Sequence, residues 1–167
     1  MKIGILYICT GNYTVFWEDF YESFSKYFCT NSEIHYFVFS DKEMDFTGKK
    51  NVHFNKIQNQ PWPLITLLRF QTFLAVEEQL KECDYLVFFN SNVNCVSNIS
   101  EEDFLPSKDE KLLFYHHGGY IYTKKIFHPY ERNKKSTAYI PYSCGGTYIG
   151  GGIIGGETIP FLDMCRT

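Results

Sequence analysis

The chain has 167 residues, a length that suits one domain with room for a sizeable core. Its formal net charge of −3 gives no field to gather DNA or RNA, which leaves only a local basic patch for such a role. Aromatic residues make up 19% of it, with 13 Tyr and 16 Phe, a composition that suits strands and stacking on sugar or base rings.

The first predicted element is the apolar strand KIGILYICT (2–10), closed by the turn cluster Cys9-Thr10-Gly11-Asn12. The run is too short to span a bilayer and lacks the long hydrophobic region and cleavage site of an export signal, so an unsecreted, cytoplasmic protein is expected. Residues 12–28 carry Val15, Phe16, Phe20, Phe24 and Phe28 at helical spacing, with Asn12 or Thr14 as the N-cap. EIHYFVFSD (33–41) is a second strand, and the strand–turn–helix–strand order marks a βαβ unit and a parallel sheet. After a polar stretch with a short strand at 51–57, residues 61–83 predict one long amphipathic helix beginning after Pro63.

DYLVFFN (84–90) is the next buried strand, and it runs directly into Asn90-Ser91-Asn92. KLLFYHH (111–117) and the loop around 129–135 follow, then a glycine-dense stretch ending near Glu157 that implies close backbone approach or a ligand against the main chain. The last residues begin an apolar periodic segment with no evident packing partner, so a longer protein is expected beyond Thr167. The six cysteines lack an export signal and CxxC spacing and are read as free thiols. His116 and His117 are adjacent, so in a strand they face opposite ways and do not chelate one ion.

In open α/β sheets, ligands bind outside the carboxyl ends of the strands. Two such ends stand out, Cys9-Thr10-Gly11 and Asn90-Ser91-Asn92, and neither carries a dinucleotide fingerprint or a P-loop. Asn90 and Asn92 share a face and offer neutral amides, suited to a diphosphate or sugar hydroxyl and poorly suited to Mg²⁺ or Mn²⁺. The plainer alternative is a polar turn that ends the strand. Arg69 is the one charge between Leu64 and Val76: either its stem snorkels to solvent, or its guanidinium takes a phosphate or carboxylate.

The segments YFVFSD, RFQTFL, DYLVFFNSN, YERNKKSTAYIP and YIGGGIIGG, in this order and spacing, resemble glycosyltransferase family 6, which includes the blood-group A and B transferases and the α1,3-galactosyltransferases. The resemblance runs from about residue 3 to residue 160. It implies a GT-A type, Rossmann-like nucleotide-sugar-binding α/β fold, with residues 1–167 as a single catalytic domain whose C-terminal part is missing. It further implies a retaining enzyme that moves galactose or N-acetylgalactosamine from a UDP-sugar to the 3-position of a galactoside.

By the same resemblance, donor contacts fall on Ile8, Cys9, Thr10, Tyr13 and Arg69, and the sugar-selecting segment falls on Gly150-Gly151-Gly152. The metal-binding Asp-x-Asp of mammalian members falls on Asn90-Ser91-Asn92. This departure is similar to the bacterial, metal-independent branch, so no divalent metal cofactor is expected, and Arg69 or a basic residue beyond Thr167 would steady the diphosphate. The family's catalytic glutamate sits in a WHDExH segment that is absent from this chain, so no catalytic residue is assigned.

Three glycines at 150–152 leave room for an acetamido group, which favours UDP-GalNAc and keeps UDP-galactose open; they also fit simple tight packing. His116, His117, Tyr120 and Tyr122 lie in an insertion relative to mammalian members and serve either as sugar platforms or as core, so acceptor-binding residues stay unassigned. A fucosylated galactose is the implied acceptor. A UDP-sugar-binding module without turnover is the alternative from another class. No nucleic acid and no membrane span are expected as partners.

Overall fold

The computed structural model describes residues 1–107 and 109–167. Its elements are β1 (Lys2–Ile8), a 3-10 turn (Gly11–Phe16), α1 (Trp17–Tyr27), β2 (Glu33–Ser40) and β3 (Val52–Lys56). Three short helices follow, α2 (Leu64–Leu67), α3 (Arg69–Leu74) and α4 (Glu77–Leu80), then β4 (Tyr85–Phe89), α5 (Glu101–Phe104), β5 (Leu112–His116), β6 (Ile149–Glu157) and α6 (Thr158–Arg166). The strands form one sheet in the order β3-β2-β1-β4-β6-β5. β1 pairs in parallel with β2 and β4, β2 in parallel with β3, and β6 runs antiparallel to β4.

The parallel centre follows from apolar runs that are buried on both faces. Ile3, Ile5, Tyr7, Tyr36, Val38, Val87 and Phe89 point to one side, where Trp17, Phe20 and Phe24 of α1 cover them. Leu6, Phe37, Phe39, Leu86 and Phe88 point to the other, under Phe73, Leu80, Phe161 and Leu162. Gly155 is needed where β6 meets β4, because a Cβ there would collide with the Leu86 carbonyl.

Three expectations change. The helix predicted from residue 12 opens as a 3-10 turn: Gly11 has φ +59°, and the Tyr13 amide bonds the Thr10 carbonyl at 3.0 Å. Neither Asn12 nor Thr14 caps it; the Thr14 hydroxyl donates to the Gly11 carbonyl at 3.3 Å. The helix predicted over 61–83 is interrupted at Leu68, whose ψ is 3°, and at Val76, whose ψ is 23°. The Thr72 hydroxyl donates back to the Leu68 carbonyl at 3.2 Å, a bond that bends helices. The closing segment is packed: α6 buries Phe161, Leu162 and Cys165, and Arg166 bridges to Glu77 and Asp163.

The chain divides into two compact units, Met1–Leu113 with Ile153–Thr167, and Phe114–Gly152. In the second, the rings of His117, Tyr120, His128, Tyr130 and Tyr148 cluster together. All six cysteines are free, and all but Cys144 are buried. Among the described residues no helix is long and apolar enough to cross a membrane.

Candidate functional site

A cavity of about 670 Å³ lies in the first unit, at the carboxyl ends of β1 and β4. Parallel pairing sets Tyr7 beside Phe89, so the turn after β1 and the turn after β4 emerge side by side. The sheet thereby brings together Ile8, Thr10 and Tyr13 from the first turn with Asn90, Ser91 and Asn92 from the second, and all six line the cavity.

Hydrogen bonds fix both turns. The Gly11 amide donates to Asp41 Oδ1 at 2.8 Å, and the Tyr7 hydroxyl donates to the Ser91 carbonyl at 3.2 Å. Ser91 and Thr10 are buried, while Asn90 and Asn92 present their amides to solvent and Tyr13 is half exposed. Alternation along the strand separates Ile8 from its neighbour. Cys9 is fully buried in the core beneath α1 and does not line the cavity; its carbonyl accepts from the Ser40 hydroxyl at 2.6 Å, and burial pushes its thiol up to about 12.

Arg69 supplies the cavity's only charged side chain among the described residues. Only 8% exposed, it does not snorkel to solvent. Its Nε donates to the Thr66 carbonyl at 3.0 Å and its guanidinium lies 4.6 Å over the Phe88 ring. Burial lowers its pKa from the ordinary value, yet an arginine starts so far above neutrality that it stays charged. No carboxylate lines the cavity among the described residues. Amide oxygens and hydroxyls beside a guanidinium are a poor donor set for a hard divalent cation and a good one for a diphosphate.

The far wall went unread in the sequence: Asn59, Gln60 and Trp62 from the connection after β3, and Ile65 and Thr66 from α2. Its available signal was the amide run Gln58-Asn59-Gln60 just ahead of Pro61-Trp62-Pro63. Gly150, Gly151 and Gly152 belong to the second unit. There a Cβ on Gly150 would stand 2.6 Å from the Tyr115 ring, so that ring fills the space beside this glycine. His116, His117, Tyr120 and Tyr122 also lie in the second unit. His117 Nδ1 accepts from the Gly119 amide at 3.2 Å, whereas Tyr122 is almost fully exposed. No group of three metal-ligating side chains forms among the described residues.

The family model for glycosyltransferase family 6 matches residues 1–167. The chain is 38% identical to the O-antigen biosynthesis glycosyltransferase WbnI of Escherichia coli, across 99% of this chain and 70% of that protein. It is 25% identical to the globoside alpha-1,3-N-acetylgalactosaminyltransferase 1 of Homo sapiens, across 99% of this chain and 49% of that one. It is 27% identical to the histo-blood group ABO system transferase 1 of Rattus norvegicus, across 94% and 46%. The chain thus spans about half the length of these two mammalian relatives. With the family model covering it from end to end, the chain belongs to glycosyltransferase family 6.

Proposed function

We propose that the protein is a retaining α1,3-N-acetylgalactosaminyltransferase that moves GalNAc from UDP-GalNAc to a fucosylated galactoside, without a divalent metal at the diphosphate. The observation that carries this reading is the pairing of Arg69 with Asn90 and Asn92 in one cavity at the carboxyl ends of parallel strands. Ligands of open α/β sheets sit at such ends, which supports a GT-A type nucleotide-sugar fold, with residues 1–167 read as a single catalytic domain.

In this reading Tyr13 faces the uracil, Ile8 and Thr10 border the nucleoside, and the amides of Asn90 and Asn92 donate to the diphosphate. Arg69 supplies the positive charge that steadies UDP as it departs, in a position held by Thr66 and Phe88. Cys9 acts only through the strand it anchors. The sugar-selecting role is assigned to the Gly150-Gly151-Gly152 segment on the family resemblance, and UDP-galactose is the alternative donor. The likeness to WbnI of Escherichia coli supports a bacterial setting, and a cytoplasmic location is part of the same proposal. The absence of any carboxylate among the cavity's described residues favours, as a second reading, a UDP-sugar-binding module without turnover.

The test is calorimetry with UDP and UDP-GalNAc, in EDTA and in Mn²⁺, joined to mass-spectrometric detection of GalNAc transfer to 2′-fucosyllactose by the full-length protein. Binding unchanged by EDTA together with product supports the reading. Loss of binding on chelation sinks metal independence, and binding without product supports the module.

A further inference from the structure

Five basic residues, Lys124, Lys125, Arg132, Lys134 and Lys135, stand against one acidic residue, Glu131, in the second unit, although the formal charge of the whole chain is −3. In the first unit Lys49, Lys56, Lys81 and Lys111 all find carboxylates. Among the described residues none of the second unit's four lysines forms an ion pair, and all four are exposed.

The same stretch exposes apolar side chains. Phe127 is 71% and Ile126 60% exposed, directly after Lys124 and Lys125, and Tyr122 and Tyr142 are exposed as well. The backbone is anchored in this arrangement. Lys125–Phe127 form a 3-10 turn, with the Phe127 amide donating to the Lys124 carbonyl at 2.9 Å. The next residue, His128, is buried among the rings of Tyr120, Tyr130 and Tyr148. Two contacts join the turn to the basic segment after it. Lys125 Nζ donates to the Ser143 carbonyl at 3.2 Å, and the Arg132 guanidinium lies 4.3 Å over the ring of Tyr142, the neighbour of Ser143. Cations and exposed apolar groups therefore share one surface, larger in apolar content than scattered single residues would make it.

We propose that this surface docks on an anionic lipid bilayer, with Tyr122, Ile126 and Phe127 entering the interface and the lysines on the headgroups. Charge complementarity selects the partner, since unpaired lysines are what a negative membrane surface attracts. Aliphatic and aromatic side chains beside lysines also suit the boundary between headgroups and acyl chains. A nucleic acid would find a stacking face on Phe127 and none on Ile126. A second copy meeting the same patch would bring like charges together. The contact needs no spanning helix, and it does not depend on the donor reading.

The experiment is co-sedimentation of the full-length protein with vesicles of phosphatidylglycerol and phosphatidylcholine in equal parts, and with vesicles of phosphatidylcholine alone. The variants are Lys124→Ala/Lys134→Ala/Lys135→Ala and Ile126→Ser/Phe127→Ser. Thermal melting and UDP calorimetry should match wild type in both, because the substituted side chains are exposed. Wild type should bind the anionic vesicles and lose them at about 1 M salt, where the screening length falls to about 3 Å. The lysine variant should bind about a hundredfold more weakly, at roughly fivefold per lysine. The apolar variant should lose about tenfold or more at constant charge. No binding to anionic vesicles, or equal binding to neutral ones, overturns the proposal. So does binding undiminished in either variant. Self-association without vesicles that Ile126→Ser/Phe127→Ser abolishes gives the surface to a second copy and overturns it too. An oligothymidylate that binds more tightly than the vesicles and is lost in the lysine variant gives it to nucleic acid, with the same result. Vesicle binding without UDP binding upholds this surface and sinks the donor reading instead.

Discussion

The guanidinium of Arg69 lies 4.6 Å over the ring of Phe88, a β4 residue two positions before Asn90. That stack ties α3 to the end of β4 and holds a positive charge beside two neutral amides inside one cavity. Replacing Arg69 with lysine keeps the charge and loses the planar fork and the stack, so the change is not conservative. Arg69→Lys should weaken UDP binding about tenfold and Arg69→Ala about a hundredfold, the range of one or two charge-assisted hydrogen bonds. Uridine, which lacks the diphosphate, should bind all three proteins alike. Calorimetry with the two ligands separates the cases, and an equal loss for uridine would show that Arg69 acts through the fold.

Asn90 and Asn92 are exposed, so exchanging both for aspartate should change folding stability by less than about 0.5 kcal/mol. The chemistry changes more. Two carboxylates beside the diphosphate repel it and offer a hard cation a pair of anionic ligands. The Asn90→Asp/Asn92→Asp protein should bind UDP weakly in EDTA and regain affinity with Mn²⁺, while wild type ignores the ion. A double variant whose UDP affinity is insensitive to Mn²⁺ would place the diphosphate elsewhere.

His53 Nε2 meets His35 Nδ1 at 2.9 Å, and His35 Nε2 meets Glu33 at 2.9 Å, on the β2–β3 side of the sheet. Burial first, and the neighbouring His35 second, lower the His53 pKa below its ordinary value, with Glu82 opposing. The folded state therefore binds fewer protons at His53 than the unfolded chain does. Its contribution to stability is present above the unfolded value of about 6.5 and is lost as pH falls through the depressed folded value. Thermal midpoints should drop between neutral pH and mildly acidic pH. His53→Phe, which keeps a ring to stack on Phe37, should flatten that drop. An unchanged slope would assign the acid sensitivity to other groups.

β1, β2 and β4 were legible because a strand buried on both faces must be an unbroken apolar run. Ile8 and Cys9 show where residue identity falls short: the two are neighbours in the turn sequence, but pleating sends one toward the cavity and the other into the core. Periodicity also missed the breaks at Leu68 and Val76, since each leaves the apolar stripe intact while the local backbone angles depart from helix. Asn59, Gln60 and Trp62 lie in a connection with no period at all, and they reach the site through tertiary approach alone.

Trp62 is 83% exposed on the cavity wall, whereas Trp17, the other tryptophan, is 1% exposed in the core under the sheet. The two indoles therefore report on different places. Occupation of the cavity should desolvate Trp62 and leave Trp17 unaffected, so UDP should quench or blue-shift the red-edge part of the emission alone. Trp62→Phe should abolish that ligand-dependent change, leave the blue emission of Trp17 intact and cost little stability, because an exposed side chain gives up little packing. If the indole stacks on the bound ligand, the same variant weakens UDP binding by about three- to tenfold, the scale of one aromatic contact. A UDP-induced emission change that survives in Trp62→Phe would mean that the nucleotide reaches the core near Trp17 instead, and the cavity at the carboxyl ends of β1 and β4 would lose its assignment.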